Sequence, residues 1–396
     1  MRMKRETLAT VLAAVALFLS GALLRAADGV AQGVPDDVQK KAMAAIQKGG
    51  NYLLDHQETD GSWMHHPAVT ALCVIAIHNS GASKDDELKK AAVQKGKAFF
   101  LKFVQKDGSI WMAGEEHEYP NYTTAIALSA LAIVGDKNDE QVMRNARKFL
   151  LGSQVTDKNS PNFGGIGYSK SGPGHPDLSN TQWALEALYL TNYLDKEPNA
   201  KTPEDTKKAD LAWANAVKFL TKLQQLPETN DEIWVVKDKD DPNRGSFVYQ
   251  IGVSRAGYEK DGKTLRGYGS MTYAGLKSMI YAKLKKDDPR VKAAIEWGSK
   301  HYTLDENPGI GPHGWYYYIQ TFAKAHAACG GDIVTTPDGK KHNWRVDLIN
   351  ELVSLQKKDG SWFNDKSGRW WESVTQLVTA YALISLETAL GDNLKK

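Results

Sequence analysis

The chain has 396 residues, 42% of them apolar and 24% charged. That is enough apolar side chain for a large core, and the net charge is too small for an intrinsically disordered chain. Lys plus Arg number 50 against 47 Asp plus Glu, with no basic stripe, which excludes nucleic acid as the expected partner.

The first element is a targeting segment. Met1 to Arg5 is basic, Thr7 to Leu24 is an uncharged run rich in Ala, Val and Leu, and small residues follow at Ala26, Ala27, Gly29 and Ala31. This layout predicts a secretory signal peptide over residues 1–31 and export to the periplasm or the cell exterior. An uncleaved N-terminal anchor is the alternative, because the apolar run is slightly long. No later stretch approaches the length of a membrane span, so residues 32–396 are expected to hold no transmembrane segment.

From there one unit recurs six times: an amphipathic helix, a glycine-bearing turn, then a helix that is apolar almost all round. The amphipathic members are predicted at 37–55, 85–104, 139–152, 207–224, 289–301 and 344–356. In the second of them Leu88, Ala92, Val93, Gly96, Phe100 and Phe103 share one face, and Lys89, Lys90, Lys95 and Lys102 the other. The apolar partners begin near Thr70, Thr124, Thr181, Thr272, Tyr318 and Thr379. The one starting at Thr124 runs to Val134 with no polar face, so it must be enclosed. Six hairpins with an apolar inner member and a wet outer member predict an all-α fold, an (α/α)6 toroid with two concentric rings. This makes residues 32–396 a single domain. An open solenoid is the alternative, but neither end carries a polar capping repeat. Cys73 and Cys329, the only cysteines, both fall inside predicted helices and read as buried free thiols, with a disulfide between them the alternative in an exported protein.

The turns carry a motif. Gln57-Glu-Thr-Asp-Gly61-Ser-Trp63 and Gln356-Lys-Lys-Asp-Gly360-Ser-Trp362 share the form Gln-x-x-x-Gly-x-Trp, with looser copies at Gln105 to Trp111 and Gly245 to Phe247. Gly takes the left-handed conformation that ends a helix. The Trp then covers the helix end, and the Gln amide bonds backbone groups left free there. The motif resembles the repeat of squalene cyclases and protein prenyltransferase β subunits, over about residues 37–390. The resemblance implies the toroid fold and, nearest to squalene–hopene cyclases, a hydrophobic isoprenoid-like ligand in a central aromatic-lined cavity.

In such a toroid the inner helices run parallel, so the segments preceding them gather at one rim, where aligned helix dipoles favour anionic groups. Ligand contacts are therefore expected from His66, His117, Tyr122, His175, Asn180, Trp183, Arg266, Tyr268, Tyr273, His313, Trp315, Tyr317, Arg369 and Trp371. Of Tyr317 and Tyr318, one is expected to face the cavity and the other to pack outward. The resemblance also implies an acidic motif, Asp-x-Asp-Asp-Thr-Ala, at the start of one inner helix. Here the segment reads Asp177-Leu-Ser179-Asn180-Thr181-Gln182, with serine at the proton-donor position. Cyclase chemistry would then need another carboxylic acid, such as Glu118 or Glu372, while Glu118 and Asp177 are the candidate acid–base pair for glycan chemistry. A literal Asp-x-Asp-Asp at Asp238 to Asp241 is followed by Pro242 and reads as a solvated loop. Neither cysteine has an Asp two residues before it, as the prenyltransferase zinc site requires, and the alternative, a site drawn from His65, His66, His117, His175, Glu116 and Asp177, has no ligand pair at i, i+4 spacing, so no metal and no cofactor is assigned. Two further functions stay open: a glycan-active hydrolase or lyase using paired rim carboxylates, and a non-catalytic interaction scaffold.

Overall fold

The computed structural model describes residues 33–80, 86–114, 119–168, 175–196, 199 and 202–395. The predicted signal peptide, Glu118 and His117 lie outside the described residues. Among the described residues twelve α-helices alternate between two rings. The outer members are α1 (Asp36–Asp55), α3 (Asp86–Leu101), α5 (Glu140–Gly152), α7 (Pro203–Leu223), α9 (Pro289–Lys300) and α11 (Trp344–Leu355). The inner members are α2 (Pro67–Asn79), α4 (Pro120–Val134), α6 (Leu178–Leu190), α8 (Gly269–Tyr281), α10 (Trp315–Cys329) and α12 (Thr375–Leu390). A short hairpin of β1 (Ile333–Thr335) and β2 (Lys341–Asn343), with Val334 opposite His342, joins α10 to α11. Among the described residues no helix is long and apolar enough to cross a membrane.

The inner ring closes. Each inner helix packs on the next, α2 on α4 and so on to α10 on α12, and α12 packs back on α2. The reason is in the sequence: α2 is buried at every residue from Pro67 to Ile77, so no face of it tolerates water. The outer helices bury one stripe only; α5 buries Met143, Ala146, Arg147, Phe149 and Leu150. Cys73 and Cys329 are buried and unjoined. The Asp238–Asp241 segment lies on the surface, where Asp238 and Asp241 accept backbone N–H bonds within their own turn.

The turn motif does more than end a helix. Trp63 and Trp362 donate their indole N–H to Leu53 and Leu352 carbonyls, 2.8 Å each, covering the outer-helix ends. The Gln side chains, however, bridge repeats. Gln57 donates to its own Gly61 carbonyl and to Ala92 in the next outer helix, both at 2.9 Å. Gln154 and Gln224 repeat this toward Ala212 and Arg290. Gln356 does the same toward Ala45 of α1, which sutures the last repeat to the first. The threonines take part as well. Thr70, Thr124, Thr181, Thr272 and Thr379 sit in the first turn of their helices, and each hydroxyl accepts the N–H of the turn residue two beyond the glycine. In the second repeat that residue is Ile110, fully buried, while Trp111 is displaced to a half-exposed position. The spacing from Gln105 to Gly108 is one residue short, so Gln105 bonds Phe103 and Trp111 instead of the next repeat.

Candidate functional site

A cavity of about 240 Å³ opens at the end of the toroid where the inner helices begin. Every inner helix contributes its first turns: Val69 and Leu72 from α2, Tyr122 and Ile126 from α4, Ser179 from α6, Met271 from α8, Tyr317 from α10, and Leu377 and Tyr381 from α12. Loop residues His66, Tyr119, Tyr168, Tyr249, Arg255, Tyr268, Trp370 and Trp371 complete the wall. The result is a cup of seven tyrosines and two tryptophans over an aliphatic base, with no carboxylate among the described lining residues.

The tyrosine hydroxyls are held in place from behind. Tyr122 accepts the indole N–H of Trp183 at 2.9 Å. Tyr317 accepts from the Gln182 amide at 3.1 Å and pairs with the Ser179 hydroxyl at the same distance. Tyr168 and Tyr249 share a hydroxyl contact of 3.1 Å. Ser179, at the proton-donor position of the cyclase motif, is thus a cavity hydroxyl bound to a tyrosine. The helical pitch separates the adjacent pair on α10: Tyr317 lines the cavity, and Tyr318 turns outward to donate to the Thr303 carbonyl at 2.7 Å.

His66, Tyr122, Tyr268, Tyr317 and Trp371 therefore meet at one place, and other sequence-predicted residues do not. Asp177 is fully buried as the cap of α6, accepting the Asn180 backbone and amide N–H groups at 2.8 Å. Glu372 is equally buried and caps α10, accepting from the Tyr317 N–H at 2.9 Å and the Asn364 amide at 2.7 Å. Neither carboxyl lines the cavity, because each is spent on satisfying a helix start. Asn180 and Trp183 stand behind the wall as their supports. His175 lies exposed outside it, and Arg266 is exposed near Glu259 at 3.7 Å. Tyr273 packs outward against Tyr318, Phe322 and His326, and Trp315 donates outward to the Leu304 carbonyl. His313 bonds Ser367 at 2.8 Å, and Arg369 stacks on Trp370 at 4.6 Å. Sequence reasoning missed Tyr168, Tyr249, Arg255 and Tyr381. Only Tyr381 carried a signal, a lone aromatic in an otherwise aliphatic inner helix.

Burial raises the Asp177 carboxyl from 3.8 to about 7, against the pull of hydrogen bonds from Asn180 and Ser179 and the charge of Arg255. Burial likewise raises Glu372 from 4.5 to about 7, opposed by the Asn364 amide and the α10 backbone. Between roughly pH 4 and 7 the folded protein keeps protons that the unfolded chain has lost, so these two groups make stability fall as pH rises through that window. The displacement at Asp177 corresponds to at most about 4 kcal/mol. In thermal unfolding at pH 4.5 and pH 8, Asp177→Asn should narrow the difference between the two conditions. An unchanged difference would show that Asp177 is ionised throughout.

No protein-family profile matches the chain, and no curated protein matches it. Solved structures do. The chain is similar to a variant of the type II terpene cyclase MstE from Scytonema in complex with geranylgeranyl dihydroxybenzoate, at 14% identity and TM-score 0.50, over 90% of this chain and 99% of that one. It is also similar to the α-1,6-mannanase of Salegentibacter, at 11% identity and TM-score 0.57, over 88% and 98%. An inactive variant of that mannanase in complex with α-1,6-mannotriose matches at 10% identity and TM-score 0.56, over 88% and 99%. The class these likenesses define is the α/α toroid. At such identities they speak for the fold and not for the chemistry.

Proposed function

We propose that this toroid holds a hydrophobic, isoprenoid-like small molecule in the rim cavity and does not carry out the cyclase proton transfer. The observation that carries the reading is the wall itself: aromatic faces and aliphatic side chains surround the space, and Ser179, which aligns with the acid position of the cyclase motif, is one of its lining residues. A serine hydroxyl is far too weak an acid for that step. The prenyl chain of the ligand in the cyclase relative fits such a lining by the ordinary transfer of apolar surface from water. The glycan reading draws on Trp370 and Trp371, 42% and 45% exposed at the mouth, which would suit a sugar face. It lacks a pair of carboxylates among the described lining residues, which glycoside hydrolysis requires.

Titration of the intrinsic fluorescence with geranylgeraniol and with α-1,6-mannotriose separates the two. The prenyl alcohol should quench saturably and the trisaccharide should not; the reverse pattern overturns the proposal. Trp371→Ala should weaken prenyl binding about tenfold, the worth of one good aromatic contact. Its half-exposed position predicts little loss of stability, and unfolding of the variant would assign Trp371 to structure. We also propose that residues 1–31 direct export; N-terminal sequencing of protein from its own host should read a start near residue 32.

A further inference from the structure

Arg255 is the one cation among the described lining residues apart from any charge on His66, and no helix places it. It comes from the long loop between α7 and α8, where a turn between Gln250 and Val253 brings the chain back over the cavity. Its guanidinium lies over the Tyr249 ring at 4.7 Å and forms no ion pair among the described residues. The nearby Tyr268 side chain is only 2% exposed and lines the same cavity, yet its hydroxyl has no hydrogen-bond partner among the described residues. That hydroxyl is reachable from the cavity, so it is free to donate to an acceptor bound there. The surroundings favour that acceptor being negative. Helices α4 and α12 begin at this cavity with no side-chain cap, so their positive ends are not neutralised. Asp177, close enough to act electrostatically on Tyr168, Tyr249 and Tyr268, is turned away into its own helix cap.

Resting on the reading of the cavity as a prenyl-binding cup, we infer that its ligand is an amphiphile with an oxyanion head, a carboxylate or a phosphate. Arg255 and the Tyr268 hydroxyl bind the head while the aromatic cup takes the apolar body. An arginine already stacked on a tyrosine is pre-organised for this, since its planar fork still presents free N–H donors to an oxyanion. No bond is made or broken in the binding.

The test uses the full mature chain and three matched probes: geranylgeraniol, geranylgeranoic acid and geranylgeranyl monophosphate. At least one anionic probe should bind about tenfold more tightly than the alcohol, the worth of a charge-assisted hydrogen bond. Whichever of the two anions leads identifies the head. Arg255→Gln should bring the anion-to-alcohol affinity ratio close to 1, and Arg255→Lys should restore part of it. Added salt should weaken the anion alone. Because Arg255 is exposed, an unchanged melting profile of the variant is expected and checks the fold. If all three probes bind alike and Arg255→Gln leaves the ratio unmoved, the head assignment is overturned while the prenyl cup stands. If none binds, both fall.

Discussion

Replacing Gly360 with alanine is expected to destabilise the toroid by about 3–5 kcal/mol, the sum of a left-handed backbone cost and a collision that no side chain can relieve. Gly360 has φ +92°, and a Cβ there would lie 2.4 Å from the Lys48 carbonyl oxygen and 2.7 Å from its carbon, both backbone atoms of α1. The same turn carries Gln356, whose amide bonds the Gly360 and Ala45 carbonyls at 2.9 Å each. The substitution therefore strikes the seam where the last repeat meets the first, and a ring that fails to close leaves apolar inner helices facing water. Gly339, in the β1–β2 hairpin, separates the two causes. Its φ is +82° with nothing near the would-be Cβ, so Gly339→Ala should cost only about 1–2 kcal/mol. Urea unfolding of both variants reads the difference. Equal losses would mean that the contact with α1 is not tight.

Glu186→Gln should be comparably damaging, at about 3–5 kcal/mol, because it strands one fully buried and one partly buried cation. Glu186 on α6 accepts from Lys277 of α8 at 2.5 Å and also from Lys324 of α10. Lys277 is fully buried and donates as well to Gln182 at 2.5 Å. Burial by itself would raise the Glu186 carboxyl, but the two lysines overcome it and hold the group down at about 2. Burial lowers Lys277 to about 8, with Glu186 opposing. The carboxylate therefore contributes stability above about pH 4.5 that is lost as pH falls toward 2. Replacing the whole triad by apolar residues, Glu186→Leu with Lys277→Met and Lys324→Leu, should cost far less than Glu186→Gln, since the desolvation of all three charges disappears together. Chemical unfolding at pH 7 compares the two. If the triple variant is the weaker one, the triad is a net source of stability.

Through Gln182 this network reaches the Tyr317 hydroxyl, so one chain of polar contacts links the cavity wall to the buried ion triad. Trp370 and Trp371 at the mouth, and Met64 and His65 just before His66, have positive φ although none is glycine. The Trp370–Trp371 turn is held by the buried Glu372 that follows it, through the Asn364 and Tyr317 donors. Strain of this kind persists only where neighbouring contacts over-determine the backbone. Here it presents two indoles at the cavity mouth.

The alternation of wet and enclosed helices was determined by the sequence alone. A helix such as Thr124 to Val134, with no polar face, has no stable place except inside a second ring. The glycine turns were equally plain, and so was the convergence of His66, Tyr122, Tyr268, Tyr317 and Trp371, which follows once the inner helices run in one direction. Tertiary structure alone decided which way each inner side chain looks. A helix apolar all round has no periodic contrast, so nothing in its sequence separates Tyr317 from Tyr318 or turns Tyr273 away from the axis. It also decided that Asp177 and Glu372 cap helices, because a carboxylate before a helix reads the same whether it points into a cavity or back onto its own backbone. Arg255 and Tyr249 were invisible for a third reason: they sit in a loop without repeat or period, and only the closed ring brings that loop over the cup.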